Sequence, residues 1–150
     1  MKLAIASDHG GFELKGRIKK ALLEMNYEIG DFGCENAESC DYPDYALKVA
    51  NAVASGAAQF GILVCGTGIG MSMAANKVKG IRAAVCCTTE QAKMAREHNN
   101  ANILCIGGRV LHEEQAEQIV KTFLTTNFSN EERHLRRINK IMEIEKNANL

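Results

Sequence analysis

The sequence predicts an α/β fold, a doubly wound sheet of five parallel strands followed by one additional helix. Short apolar runs alternate along the chain with longer segments of helical period, which is typical of strand–helix units stacked on a parallel sheet. The chain has 150 residues, of which 46% are hydrophobic, and this is enough to bury the core of one domain. No repeat or linker divides it, so we expect residues 1–150 to form a single domain.

Five apolar runs are the predicted strands: residues 3–6, 28–32, 61–65, 83–86 and 103–106. The first predicted helix lies between the first two strands, where apolar residues recur every three or four positions from Leu14 to Met25. Further helices are predicted at residues 45–54, 70–78, 90–98 and 113–124, the earliest of them after the turn signature around Pro43. A last helix, at about 131–147, has an apolar stripe and a basic face but no following strand.

Composition excludes several classes of partner. The chain has 18 basic and 18 acidic residues, so no global field attracts nucleic acid or an anionic membrane. Its six cysteines form no C-x-x-C pair and no Cys/His set with zinc spacing. The apolar stretch at the N-terminus is too short for a signal peptide, and no apolar run approaches membrane-spanning length. We therefore expect a cytoplasmic protein that holds no metal and binds neither nucleic acid nor membrane.

Polar residues and glycines coincide at the ends of three predicted strands. Ligands of open parallel sheets collect at the carboxyl ends of the strands, because loops and helix N-termini meet there. The first strand ends in Ser7-Asp8-His9-Gly10-Gly11, the third in Cys65-Gly66-Thr67-Gly68-Ile69-Gly70 and the fifth in Gly107-Gly108-Arg109. We expect the functional site at this edge of the sheet.

The turn from Cys65 to Gly70 has glycine at alternate positions, which leaves backbone N–H groups free to face an oxyanion. Cys65 stands at its mouth beside Thr67, where a helix N-terminus favours the thiolate that could abstract a proton. The alternative is a tight strand-to-helix turn whose cysteine belongs to the core. Because position 71 is Met and no G-K-[ST] ending follows, the turn matches neither the dinucleotide fingerprint nor the P-loop.

Three other polar groups each allow two interpretations. Asp8-His9 could contact a substrate, or Asp8 could only cap a helix. His98-Asn99 ends a predicted helix, where a histidine cation often pairs with the helix dipole. Arg133 and Arg137 lie at i and i+4 of the last helix, so they could grip a phosphate together or form a solvated basic face. We expect all of these except the arginines to share one crevice.

Taken together, these motifs closely resemble the ribose-5-phosphate isomerase B family. The resemblance extends to about Arg137 and rests on the following segments: Ser7-Asp8-His9-Gly10-Gly11, Asp41-Tyr42-Pro43, Cys65 to Ser72 with Ala74-Ala75-Asn76-Lys77, His98-Asn99, Gly108-Arg109 and Arg133-His134. It implies a Rossmann-like three-layer sandwich with a five-stranded parallel sheet. It also implies a homodimer, possibly a tetramer, whose last helix packs on the partner subunit and whose active sites are shared. Asn100 departs from the Asp that many relatives carry.

The resemblance further implies an aldose–ketose isomerase that interconverts ribose 5-phosphate and ribulose 5-phosphate through an enediolate, in the pentose phosphate pathway. Cys65 would move the proton and His98 would open the sugar ring. No cofactor is needed, because the redox change stays within the substrate. Members of the family also act on galactose 6-phosphate and allose 6-phosphate, and Cys65 favours the ribose enzyme. A six-carbon substrate such as allose 6-phosphate, or a non-catalytic sugar-phosphate sensor, are the alternatives.

The remaining site residues are also implied by the resemblance. Thr67 and the N–H groups of Gly66, Gly68, Ile69 and Gly70 would stabilise the enediolate oxygen. The other substrate contacts are Asp8 and Asn99 to the sugar, Tyr42 beside them, and His9, Arg109, Arg133 and Arg137 to the phosphate. In a shared site we expect Cys65 and His98 from one chain and the Arg133–Arg137 pair from the other.

Overall fold

The computed structural model describes residues 1–148 and forms one five-stranded, fully parallel sheet between two layers of helices. Residues 149 and 150 of the predicted domain lie outside the described residues. The strands are β1 (Lys2–Ser7), β2 (Glu28–Asp31), β3 (Phe60–Cys65), β4 (Ala83–Val85) and β5 (Ile103–Gly107), and their order in the sheet is β2-β1-β3-β5-β4. The predicted α/β class is confirmed, and every strand ends within one residue of its predicted position.

The helices are α1 (Phe12–Glu24), α2 (Tyr42–Ala54), α3 (Ile69–Ala75), α4 (Thr89–Glu97), α5 (Glu113–Thr125) and α6 (Glu132–Asn147), and a 3-10 turn at His9–Gly11 precedes α1. Helix α2 begins earlier than predicted, because Pro43 lies in its first turn, where the fixed φ of proline suits a helix. Helix α3 ends earlier than predicted. Beyond it, the Asn76 side chain holds the start of β4 through the N–H and C=O of Ala83, at 2.8 and 2.9 Å.

The hand of the crossovers decides which helix covers which face. The steps β1→β2 and β4→β5 run in one direction across the sheet, whereas β2→β3 and β3→β4 run in the other. Since parallel crossovers are right-handed, α1 and α4 must lie on one face and α2 and α3 on the other. The two cores agree: α1, α4 and α5 pack around Phe123 and Ile18, while α2 and α3 pack around Val49 and Met71.

Strands β1 and β3 are neighbours, with Ser7 opposite Val64, but the chain leaves them towards opposite edges of the sheet. Such a switch point opens a crevice at the carboxyl ends of the two strands. The residues that follow, Asp8 and Cys65, therefore flank the crevice. The sheet order thus identifies where in this fold a ligand would bind.

Helix α6 lies at the end of the sheet where the strands begin, opposite the crevice. It contacts the segment that leads into β4, because Gly80 N donates to Glu145 Oε1 at 2.9 Å and Arg82 Nη1 lies 3.5 Å from Met142 Sδ. Its apolar residues Ile141 and Ile144 are largely exposed. No helix within residues 1–148 is long and apolar enough to cross a membrane.

Candidate active site

Cys65 is the last residue of β3, and its side chain is only 4% exposed. The turn that follows folds back so that Gly68 N donates to Cys65 Sγ at 3.1 Å. This requires glycine, because Gly68 has φ 81° and a Cβ there would lie 3.1 Å from the backbone of Ile106. The turn therefore directs a backbone N–H group at the Cys65 sulfur.

The rest of the turn is open towards the crevice. Thr67 is exposed, and its Oγ1 accepts a hydrogen bond from Ile69 N at 3.2 Å. The ring of Tyr42 lies flat against Gly70, since a Cβ at Gly70 would come 2.6 Å from Tyr42 Cζ. Tyr42 and the turn predicted to bind substrate are thus adjacent.

The loops after β1, β3 and β5 meet at this point. Gly108 N donates to Cys65 O at 2.7 Å, and Arg109 N donates to Gly66 O at 3.0 Å. A Cβ on Gly10 would lie 3.1 Å from Gly66 N and 3.4 Å from Arg109 Cζ. The guanidinium of Arg109 therefore lies beside the glycines of two loops, Gly10 and Gly66.

Asp8 caps the 3-10 turn, since its Oδ1 accepts from Gly11 N at 3.1 Å. Asp8 therefore caps this turn, and its contact with a substrate stays a prediction. His9 is oriented by the loop before α2: Cys40 N donates to His9 Nδ1 at 3.2 Å. Because Nδ1 accepts, the neutral ring carries its proton on Nε2. The sequence did not single out Cys40, because a backbone donor leaves no mark in the residue pattern.

Cys65 lies at the carboxyl end of its strand, whereas His98 and Asn99 lie at the opposite end of the sheet, where the strands begin. Helix α4 starts beyond the end of β4 and finishes before the start of β5, so its last residues are beside the strand starts. Asn99 O there accepts from Nε of Arg82, which directly precedes β4, at 3.1 Å. The six residues of β3 span about 17 Å at about 3.3 Å per residue. The expectation that His98 and Asn99 share a crevice with Cys65 of the same chain was wrong.

His98 instead lies beside α6. Its ring packs on that of His134, with the ring centroids 4.3 Å apart and the planes inclined by 30°. Arg133 Nε pairs with Glu131 Oε2 at 2.8 Å, and both Arg133 and Arg137 are exposed, so within one chain they form a solvated basic face. His134 was quoted in the sequence only as part of a motif. Its spacing of four residues from buried Ile138 was the available signal that it faces inward.

The predicted site residues thus form two groups, one at the carboxyl ends of the strands and one at their amino ends. The first, here called the β3-end half-site, contains Asp8, His9, Tyr42, Cys65, Gly66, Thr67, Gly68, Ile69, Gly70 and Arg109. The second, here called the α6 half-site, contains His98, Asn99, Arg133 and Arg137. Among residues 1–148, no group of three or more His, Cys, Asp or Glu side chains is arranged to hold a metal ion.

Burial sets the protonation of three further groups. It raises the pKa of Cys86 to about 11, and together with the nearby Cys65 it raises the pKa of Cys105 well above its ordinary value. Burial also lowers the pKa of His134, and His98 and the two arginines lower that pKa further. Cys86 and Cys105 are therefore held as thiols.

Comparison with known proteins gives matches over nearly the whole chain. The family model for Ribose/Galactose Isomerase matches residues 3–141. Ribose-5-phosphate isomerase B of Escherichia coli (strain K12) is 45% identical over 148 residues, 99% of each chain. The solved ribose-5-phosphate isomerase B of Clostridium thermocellum is 54% identical, with a TM-score of 0.96 over 97% of this chain and 98% of that one. The enzyme from Mycoplasma genitalium, solved with bound ribulose-5-phosphate, is 42% identical, with a TM-score of 0.94 over 98% and 97%. The chain therefore belongs to the ribose/galactose isomerase family.

Proposed function

We propose that this protein interconverts ribose 5-phosphate and ribulose 5-phosphate through an enediolate, as a step of the pentose phosphate pathway. The similar proteins named ribose-5-phosphate isomerase B, one of them holding ribulose-5-phosphate, support this substrate. The observation that carries the proposal is the Cys65 thiol at the β1/β3 crevice, with Gly68 N–H directed at its sulfur at 3.1 Å.

The central step is a proton transfer between neighbouring carbons. In the open-chain aldose, the Cys65 thiolate removes the proton from carbon 2, the hydroxyl proton of carbon 2 passes to the oxygen of carbon 1, and the resulting thiol returns a proton to carbon 1. The negative charge that develops on oxygen would be stabilised by Thr67 and by the N–H groups of the turn from Gly66 to Gly70. Such donors are typically worth about 3 to 4 kcal/mol each in the transition state. Their backbone origin means that they need no reorganisation as the charge develops.

The substrate must first open its ring and be held by its phosphate. His98 would open the furanose by proton transfer at the ring oxygen and the anomeric hydroxyl, and Asn99 would contact the sugar. Asp8 retains a carboxylate oxygen beyond its cap bond for a sugar hydroxyl. Arg109, His9 through Nε2, and the Arg133–Arg137 pair would bind the phosphate.

Because the two half-sites lie at opposite ends of the sheet in one chain, a complete site needs a second copy of the chain. We infer a homodimer in which the α6 half-site of one chain faces the β3-end half-site of its partner. A two-fold axis would then create two equivalent sites. The exposed apolar residues of α6, Leu135, Ile141 and Ile144, support docking of this helix on a partner. His98 then acts from the same chain as the arginines, not from the chain that supplies Cys65.

The substrate is tested by measuring kcat/KM for ribose 5-phosphate, allose 6-phosphate and galactose 6-phosphate with purified protein and no added metal. We expect the highest value for ribose 5-phosphate. A higher value for a six-carbon sugar would keep the chemistry and change the substrate. Binding of all three without turnover, and without exchange of substrate hydrogen in deuterated water, would instead identify a sugar-phosphate sensor.

A further inference from the structure

His134 is a buried histidine that the proposed chemistry leaves without a role. Its side chain is only 4% exposed, although it belongs to a helix whose neighbouring residues face solvent. It packs on His98, with the ring centroids 4.3 Å apart. His98 is the group proposed to open the sugar ring. Because the two rings are packed, any contact that holds the His134 ring in place also restrains the His98 ring.

Ser129 anchors the ring of His134. Ser129 Oγ lies 2.7 Å from His134 Nδ1, and the same oxygen accepts from Glu131 N at 3.2 Å. In the neutral ring with its proton on Nε2, the hydroxyl hydrogen of Ser129 donates to Nδ1. Ser129 N in turn donates to Glu97 O at 3.0 Å, one residue before His98. One short loop therefore positions both histidines.

The surroundings favour the neutral form of His134. The titratable and charged groups that face it are His98 just after α4, Arg133 and Arg137 from α6, and Glu131 just before α6. Burial and the three positive or protonatable neighbours lower the pKa of His134, and Glu131 alone opposes them. A neutral His134 ring can lie against His98 whether His98 is neutral or protonated, because the face of an aromatic ring attracts a cation. A protonated His134 would repel a protonated His98.

We propose that His134 is a positioning residue for His98: its neutral ring, anchored by Ser129, holds the His98 imidazole in the orientation that ring opening requires. This rests on the proposed role of His98. It assigns His134 no contact with the substrate. Loss of the ring should therefore slow the step that His98 performs and leave substrate binding and the Cys65 step nearly unchanged.

The test is a double-mutant cycle of His134→Ala and His98→Asn, assayed on two reactions. Isomerisation of ribose 5-phosphate requires ring opening, whereas deuterium exchange from ribulose 5-phosphate, which forms no furanose ring, does not. For His134→Ala we expect kcat on ribose 5-phosphate to fall about 10-fold or more, with KM and the exchange rate within about threefold. Because His134 acts through His98, the double variant should be no slower than His98→Asn, within about twofold.

His134→Phe keeps a flat uncharged ring against His98 but loses the hydrogen bond to Ser129. We expect it to restore kcat in part, to a value at least about threefold above that of His134→Ala. Thermal midpoints and native mass spectrometry of all variants report whether α6 still docks. Multiplicative effects in the cycle, or a His134→Phe variant as slow as His134→Ala, would overturn the proposal. If His98→Asn slowed both reactions equally, the ring-opening role of His98 would be lost, and the cycle would still decide whether His134 acts through it.

Discussion

Mixed dimers of two inactive variants should regain activity when their substitutions lie in different half-sites. Cys65→Ala removes the proton carrier from the β3-end half-site, and His98→Asn removes the ring-opening group from the α6 half-site. In a mixed dimer, one composite site collects both defects and the other collects neither. Random one-to-one pairing makes half of the dimers mixed, each with one of two sites intact, so about a quarter of wild-type activity should return.

The assay unfolds the two variants together in denaturant, refolds them at equal concentration and measures turnover of ribose 5-phosphate. Native mass spectrometry of an isotope-labelled chain counts the mixed dimers. The matched control pairs His98→Asn with Arg137→Ala, two substitutions in the α6 half-site. Every site in these mixed dimers carries one defect, so activity should stay at the mean of the two variants.

The alternative arrangement, with His98 beside Cys65 of its own chain and only the arginines from the partner, reverses both results. The Cys65→Ala and His98→Asn pair would then stay inactive, and the His98→Asn and Arg137→Ala pair would recover about a quarter of the activity. That outcome would refute the grouping of His98 with α6. Failure of both pairs to recover, with mixed dimers present, would refute shared sites altogether.

Three further predictions concern stability and thiol reactivity. Phe123→Ala, at a fully buried position, should lower the free energy of unfolding in urea by about 3 to 5 kcal/mol, whereas Leu23→Ala, at an exposed position, should change it by less than about 0.5 kcal/mol. Cys86, with a pKa of about 11, should resist iodoacetamide at pH 8 in the native protein and react faster as the pH approaches that value, as peptide mass mapping would show. Although burial opposes ionisation, hydrogen bonds from a backbone N–H and two lysines hold the pKa of Asp31 below its usual 3.8. The stability that this adds is present above that pH and lost below it, so the difference in unfolding free energy between wild type and Asp31→Asn should shrink as the pH falls below 3.8.

The strands could be predicted because buried parallel strands are continuous apolar runs, and here each run is bounded by polar or glycine residues. The β3-end half-site could be predicted for a similar reason. A backbone with positive φ needs glycine, and the requirement at Gly68 is local, so it is visible in the sequence. The order of the strands could not be predicted, because the place of β5 between β3 and β4 depends on contacts between distant segments.

The error on His98 has a physical origin. The residue pattern shows that a helix ends near His98. It does not show whether that helix end lies beside the starts or the ends of the strands. In a parallel sheet each connecting helix runs back against the strands, so a residue at the end of α4 must lie beside the strand starts. Applying that rule to the predicted elements would have separated His98 from Cys65. The packing of His134 on His98 depends on the path of residues 126–131, which no periodicity encodes.

The most direct test of the account is whether Cys65 carries the substrate proton. Ribose 5-phosphate is incubated with the protein in deuterated water containing excess chelator, and isomerisation and deuterium at carbons 1 and 2 are followed by NMR. We predict rapid isomerisation with deuterium incorporation by the wild type. Cys65→Ala should lose at least about 100-fold in both rates, while its Kd for ribose 5-phosphate stays within about threefold. Incorporation by Cys65→Ala within tenfold of the wild-type rate would contradict the assignment of Cys65 as the base.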